Sequence, residues 1–408
     1  MSWSNVMSRT PSPRFSSILI RRIAIANAAG LVLAAIACET VRAAEPPRLP
    51  DIDAAVQRFV EAKEIAGAVT LVADGDGVRH LGTVGLADVA GEKPMRADAI
   101  FWIASMSKPI TAAAVMMLQD EGKLSVDDPV EKYVPELAEL KTRDGEKVKI
   151  TIRHLLTHTS GMGEISAAEA RRATKLADVM PLYAARPVGF EPGSKWQYCQ
   201  SGINTAARIV EVVSDMPFDE FLEKRLFEPL GMKDTAFYLS EEQLPRLATS
   251  YQRTGDTLEE SEVFILYGKS PTSRDRFPAA NGGLFSTAAD YAKFCQMILG
   301  GGQFAGRRYL NSKTVKQMTT VQTGDLKTGF TEGNGWGLGW CVVRKPQGVT
   351  EVLSPGTHGH GGAYGTQAWI DPEKKRIYVL MVQRANFPNA DASDVRRAFQ
   401  AAAAKALE

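Results

Sequence analysis

The chain has 408 residues, 44% of them apolar and 23% charged, with a formal net charge of +1. This is the composition of a globular protein with ample material for a core, and it lacks the basic excess that a nucleic-acid or polyanion partner would require. Beyond the N-terminus no apolar run approaches the roughly 18 residues that a membrane-spanning helix needs.

The N-terminus is basic and then apolar. Arg9, Arg14, Arg21 and Arg22 precede the first acidic residue, Glu39, and residues 23–37 form an alanine-rich apolar stretch of signal-peptide length. Small residues follow, and cleavage is expected near Ala43 or Ala44, just before Pro46 and Pro47. Residues 1–44 are therefore expected to be an export signal and 45–50 a linker, which would send the protein to the periplasm or the medium. The Arg21-Arg22 pair is a poor match to a twin-arginine signal, and Ala35-Ile36-Ala37-Cys38 bears only a faint likeness to a lipoprotein cleavage site.

Residues 51–64 predict an amphipathic helix, with Ile52, Ala55, Val56, Phe59 and Val60 at helical spacing. Residues 67–73 (GAVTLVA) and 78–84 read as strands, and Asp74-Gly75-Asp76-Gly77 between them is a hairpin signal. From 105 to about 320 the pattern is mainly helical, broken by Gly- and Pro-rich loops. Residues 340–344, 365–370 and 376–382 then read as strands, and 392–407 as a closing helix. The expected fold is α+β, a single domain over 51–408. One antiparallel sheet is built from both ends (51–104 and 335–408), terminal helices cover it, and a helical region (105–334) is inserted between. The cleft between sheet and insertion is the default place for a site. Cys199, Cys295 and Cys341 are widely spaced and have no C-x-x-C, so buried free thiols are expected rather than a disulfide framework or zinc cluster.

The chemistry-bearing motif is Ser105-Met106-Ser107-Lys108-Pro109. Proline is tolerated only in the first turn of a helix, so Pro109 places the helix start at about Ser105 or Met106. Lys108 then projects from the same face as Ser105 and can reach its hydroxyl. A serine is a weak nucleophile until a base takes its proton, and a lysine can do so once burial and a helix N-terminus destabilise its ammonium. The turn Glu191-Pro192-Gly193-Ser194 leads to Tyr198, a possible second proton carrier whose phenol would ionise more easily near that ammonium. Near the C-terminus, Thr357-His358-Gly359-His360-Gly361-Gly362-Ala363 runs into a strand. Glycines there permit close approach of the backbone to a ligand, and His360 could offer a donor to it.

Taken in order, FWIASMSKPITAAAVMMLQDEGKLSVDDPVEKYVPEL, TIRHLLTHTSGM, EPGSKWQY, NGGLFSTAADYAKFCQMIL, WGLGW and HGGAYGT resemble the landmarks of the serine β-lactamase-like hydrolases. That superfamily includes class C β-lactamases, DD-peptidases, D-aminopeptidases and family VIII carboxylesterases. The resemblance implies acylation of Ser105, with Lys108 and Tyr198 sharing the proton transfers. It also implies an oxyanion hole made by the N–H groups of Ser105 and Ala363, and a substrate groove lined by Gln200, His360, Gly361 and Gly362. No metal and no cofactor are implied; the partner is a small ester, amide or peptide.

Two departures narrow this. The family's Tyr-x-Asn is here Tyr198-Cys199-Gln200, which moves the amide by one methylene. Where β-lactamases carry Lys-Thr-Gly, this chain has His360-Gly361-Gly362, so a permanent cation gives way to a mostly neutral imidazole. An esterase or peptidase-like activity is therefore expected ahead of a true β-lactamase or penicillin-binding DD-peptidase, with a non-catalytic binding protein as the further alternative. An α/β-hydrolase would need a G-x-S-x-G elbow, which is absent. A metallohydrolase built on His358 and His360, or on His154 and His158, would lack H-E-x-x-H and an acidic ligand after the first pair. Substrate identity and oligomeric state are not legible.

Overall fold

Asp74 makes the first turn. Its Oδ1 accepts from the N–H groups of Asp76 (2.9 Å) and Gly77 (3.1 Å), and Arg79 and Arg376 pair with its carboxylate at 2.6 and 3.1 Å. The turn joins β1 (Gly67–Ala73) to β2 (Val78–Asp88). In this computed structural model, which describes residues 47–408, further strands follow in chain order. They are β3 (Lys93–Pro94), β4 (Phe101–Trp102), β5 (Tyr251–Thr254), β6 (Thr257–Glu260), β7 (Phe285–Ser286), β8 (Gln303–Phe304) and β9 (Arg307–Arg308). The last five are β10 (Asn334–Trp336), β11 (Cys341–Val343), β12 (His358–Gly361), β13 (Gln367–Asp371) and β14 (Arg376–Val382). The expected export signal and the start of the linker lie outside the described residues.

Eight strands form one antiparallel sheet in the order β10-β11-β12-β13-β14-β1-β2-β3. The two ends of the chain meet where β1 pairs with β14, Ala68 opposite Val382 and Leu71 opposite Val379. Alternation then divides the side chains between two cores. Val69, Leu71, Ile377, Val379 and Met381 belong to the larger core, which the helix Ala288–Leu299 covers through residues such as Tyr291 and Phe294. Ala68, Val72, Tyr378, Leu380 and Val382 point the other way, onto the terminal helices Pro50–Glu61 and Asp394–Ala406 through Ile52, Val56, Val395 and Phe399. Mixed helix and antiparallel sheet, with a largely helical insertion, is thus the architecture, as the sequence predicts. Among the described residues no helix is long and apolar enough to cross a membrane.

Two features depart from expectation. The insertion also carries the short strand pairs β5–β6 and β8–β9, its β7 pairs with β4 just ahead of it, and the sheet gains β3, β10 and β12. The β12 sequence, His-Gly-His-Gly, has none of the branched or large apolar residues that mark strands; pairing with β13, His358 opposite Ile370 and His360 opposite Ala368, makes it one. Cys199, Cys295 and Cys341 are free and buried, as expected.

Candidate active site

The insertion's central helix, Ser107–Asp120, is buried from Ser107 to Leu118, a stretch apolar from Ala112 onward and polar only at Ser107, Lys108 and Thr111 near its start. A 3-10 turn, Ala104–Met106, precedes it, so the α-helix begins one or two residues later than the sequence predicts and Ser105 sits in the lead-in turn. Ala104 is held at φ +46°, a left-handed conformation costly for a residue with a Cβ. Its surroundings enforce it. Ser107 Oγ donates to the Ala104 carbonyl at 2.7 Å, Trp102 Nε1 donates to Gly282 O at 2.6 Å, and Tyr291 donates to Met106 O at 2.8 Å. The turn therefore delivers Ser105, half-buried, into a cleft of about 560 Å³.

Lys108 is fully buried with its Nζ 3.0 Å from Ser105 Oγ. The amine also donates to the Asn281 carbonyl at 2.6 Å and lies 4.5 Å from the centroid of the Tyr198 ring. Burial pushes its pKa down to about 7, against a weaker upward pull from Glu164. A large fraction is thus free amine at neutral pH, with a lone pair that can take the serine proton.

Tyr198 departs from the sequence reading. Lys108 faces its ring rather than its hydroxyl, and burial drives the phenol well above its ordinary range, with only a partial counter-pull from Ser105. Desolvation dominates, so the phenol stays protonated and can act as a proton donor and relay. Its position is clamped by His158, a residue at φ +59°. The His158 carbonyl accepts from Gln197 N–H at 2.9 Å, and its Nδ1 accepts from Cys199 N–H at 3.1 Å, so the backbone is held on both sides of Tyr198. The two rings lie 4.4 Å apart. His154, by contrast, closes a capping box with Thr151 on the helix Ile152–Leu156. Both histidines of the TIRHLLTHTSGM stretch thus have structural work.

His360 lines the cleft but does not offer the donor expected of it. Its Nδ1 lies 2.7 Å from the carbonyl of Gly361 and must carry the proton to bond there, which leaves Nε2 as an acceptor 3.3 Å from the Tyr198 hydroxyl. Burial and the nearby Lys108 push its pKa down to about 3, so the imidazole is neutral. Gly362 is required where it stands: a Cβ would fall 2.7 Å from Ile103 O and 2.1 Å from Thr366 Oγ1. That close approach brings the end of β12, with Ala363, against the turn bearing Ser105, and both residues line the cleft. The N–H of Ser105, in the first turn, has no acceptor within its own helix and is available to a developing oxyanion.

Gln200, at the start of the helix Gln200–Ser214, also lines the cleft, and its Oε1 accepts from Asn281 Nδ2 at 3.1 Å. That leaves the NH₂ of Gln200 to meet a substrate. Asn281 ties the pieces together, since its carbonyl holds Lys108 and its amide holds Gln200, while its own N–H donates to Asn204 Oδ1 at 3.2 Å. Sequence reasoning did not single it out, although it opens the NGGLFSTAADYAKF landmark. Glu164, two residues past the TIRHLLTHTSGM landmark, and Asp391, in the 3-10 turn Ala390–Ala392, also stand at the cleft wall and were equally missed, because neither belongs to a motif.

With the hydroxyl of Tyr198 as proton relay, Tyr198→Phe is expected to lower kcat on an activated ester by about 10²- to 10³-fold with KM little changed, as steady-state kinetics would show.

A serine beside a buried lysine, facing a tyrosine in a cleft between an antiparallel sheet and a helical insertion, is the arrangement of the β-lactamase/transpeptidase class. The family model for Beta-lactamase matches residues 52–403, and the chain belongs to that family. It is 32% identical over 369 residues to Protein Rv1367c of Mycobacterium tuberculosis, covering 83% of this chain and 91% of that one. It is 28% identical over 352 residues to Esterase EstB of Burkholderia gladioli, covering 78% and 86%. Among solved structures, EstCE1, described as a hydrolase with promiscuous acyltransferase activity, superposes with a TM-score of 0.75 over 86% of this chain and 98% of that one. At 23% identity that likeness speaks to the fold.

Proposed function

We propose that this protein is a serine hydrolase that cleaves small esters, or peptide-like amides, through an acyl-enzyme on Ser105. The observation that carries the reading is the buried Lys108 amine 3.0 Å from Ser105 Oγ, with its pKa pushed down to about 7. The free amine takes the serine proton as Oγ attacks the carbonyl carbon. The N–H groups of Ser105 and Ala363 receive the oxyanion. Tyr198, hydrogen-bonded toward His360, gives its own hydroxyl proton to the departing alkoxide or amine as the acyl bond breaks, and is reprotonated by the proton that Lys108 took from Ser105, so that both groups end the step as they began it. Water, deprotonated by the same groups, then attacks the acyl-enzyme and releases Ser105.

Ester cleavage is favoured over β-lactam cleavage because a neutral His360 stands where a cation would hold a β-lactam carboxylate. The similarity to Esterase EstB supports the same side. Purified protein is expected to turn over p-nitrophenyl acetate or butyrate with little or no activity on nitrocefin. Fast nitrocefin hydrolysis without esterase activity would overturn the proposal. The reading also assigns the catalytic domain to residues 51–408 and export to residues 1–44, on the basic and apolar pattern there. N-terminal sequencing of the secreted product should begin near Ala44 or Glu45.

A further inference from the structure

The walls of the cleft are aromatic, with Trp102, Phe264, Tyr267 and Phe330 among them, and the charged side chains that line it are acidic, with Lys108 buried behind Ser105. Neither lysine nor arginine lines it, whereas Glu164 and Asp391 do. The two carboxylates are not equivalent. Glu164 accepts from the N–H groups of Gln200 and Ser201, so its charge is answered by the first turn of the helix Gln200–Ser214. Asp391 stands just before the helix Asp394–Ala406, and its carboxylate lies over β12: a Cβ on Gly361 would fall 2.0 Å from Asp391 Oδ1. Arg396 donates to the main-chain carbonyl of Asp391 at 2.5 Å with its guanidinium 4.0 Å over the Trp369 ring. Burial pushes the Asp391 carboxyl above its ordinary range, and the Arg396 charge and the Gln367 amide pull part of the way back toward the ionised form. Asn389 Oδ1 accepts from the Asp391 N–H at 3.0 Å, and Gln367 holds the neighbouring Ala390 carbonyl at 3.0 Å, so the loop is fixed with this residue on the cleft.

We propose that Asp391 sets the charge selectivity of the site, disfavouring substrates that carry a carboxylate near the scissile carbonyl and favouring those that carry an ammonium group there. The inference rests on the serine-hydrolase reading and names its substrate class: amine-bearing esters or amides. The residue acts on the strand His360-Gly361, along which a substrate must lie to reach Ser105 and Ala363. In a cleft walled by aromatic rings a carboxylate's field is less screened than at an open surface, so like charge is a means of rejecting a wrong substrate.

The test uses two matched series of aryl esters. One carries the charge at the end of the acyl chain (p-nitrophenyl aminocaproate, caproate and hemiadipate). The other carries it on the phenol of an aryl acetate (ammoniomethyl, methyl and carboxymethyl). In at least one series, the ratio of kcat/KM for ammonium over carboxylate is expected to be about tenfold or more, and Asp391→Asn should compress it by about tenfold. Glu164→Gln should move it by about twofold or less. Added salt should lower the ratio in the unaltered protein, a readout that does not depend on any variant folding. A ratio near one in both series, a ratio unchanged in a folded Asp391→Asn, or a collapse in Glu164→Gln instead would overturn the assignment. If the neutral esters are not cleaved at all, the hydrolase reading itself fails; if they are cleaved without charge discrimination, only the role of Asp391 falls.

Discussion

Replacing Ser105 with alanine is expected to lower kcat/KM on p-nitrophenyl butyrate by at least about 10³-fold while leaving the fold intact, because what remains is binding and oxyanion stabilisation without a nucleophile. The substitution removes one half-buried hydroxyl. No part of the 3-10 turn depends on that hydroxyl, since Ala104 and Ser107 fasten the turn to each other and Trp102 and Tyr291 tie it to the surrounding core. Melting temperature should therefore stay close to that of the unaltered protein while activity disappears. The same protein should also fail to react with a fluorescent phosphonate. Loss of activity together with a large fall in melting temperature would mean that Ser105 is a structural residue and that the assigned role is wrong.

The second large effect concerns Lys108, and its sign differs for activity and stability. Catalysis needs the free amine, so kcat/KM for a neutral ester should be low in acid and rise through a single limb near pH 7. Neither histidine beside it can supply that limb: burial holds His158 well below its usual range and pushes His360 down to about 3, while Tyr198 is shifted far upward. Lys108→Arg cannot deliver a free base at any ordinary pH, and activity should fall by about 10³-fold with no recovery in alkali.

Stability runs the other way. The folded pKa of Lys108 lies below the unfolded one, so between about pH 7 and 10 the unfolded chain binds more protons and stability rises with pH. Below neutral pH, keeping this lysine charged in its buried place costs the fold roughly 3–5 kcal/mol relative to strongly alkaline solution. Lys108→Met should therefore be inactive yet at least as stable as the unaltered protein at pH 6, measured by thermal melting. A structural lysine would show the opposite, activity retained and stability lost.

Much of this site was legible before the structure because its parts are local. Pro109 fixes where a helix can begin, and Lys108 follows Ser105 by one helical turn, so the pair could be placed from a few residues. The strands built from branched residues, β1 and β14, were legible for the same reason, and β1 and β14 have the expected limits. What escaped depends on partners distant in sequence. β12 becomes a strand only through β13, and Asn281 gains its place only because its carbonyl reaches Lys108, 173 residues away. Protonation states escaped too. From sequence, Tyr198 looked more easily ionised beside a lysine, and His360 looked like a donor. Burial decided the first, and the Gly361 carbonyl on His360 Nδ1 decided the second.

The most direct test of the account is intact-mass spectrometry of the protein after brief exposure to an activated ester or an aryl phosphonate, followed by peptide mapping. One added acyl or phosphonyl group per chain is expected, carried by the peptide that contains Ser105 and absent from Ser105→Ala. An adduct on another residue, or ester turnover undiminished in Ser105→Ala, would contradict it.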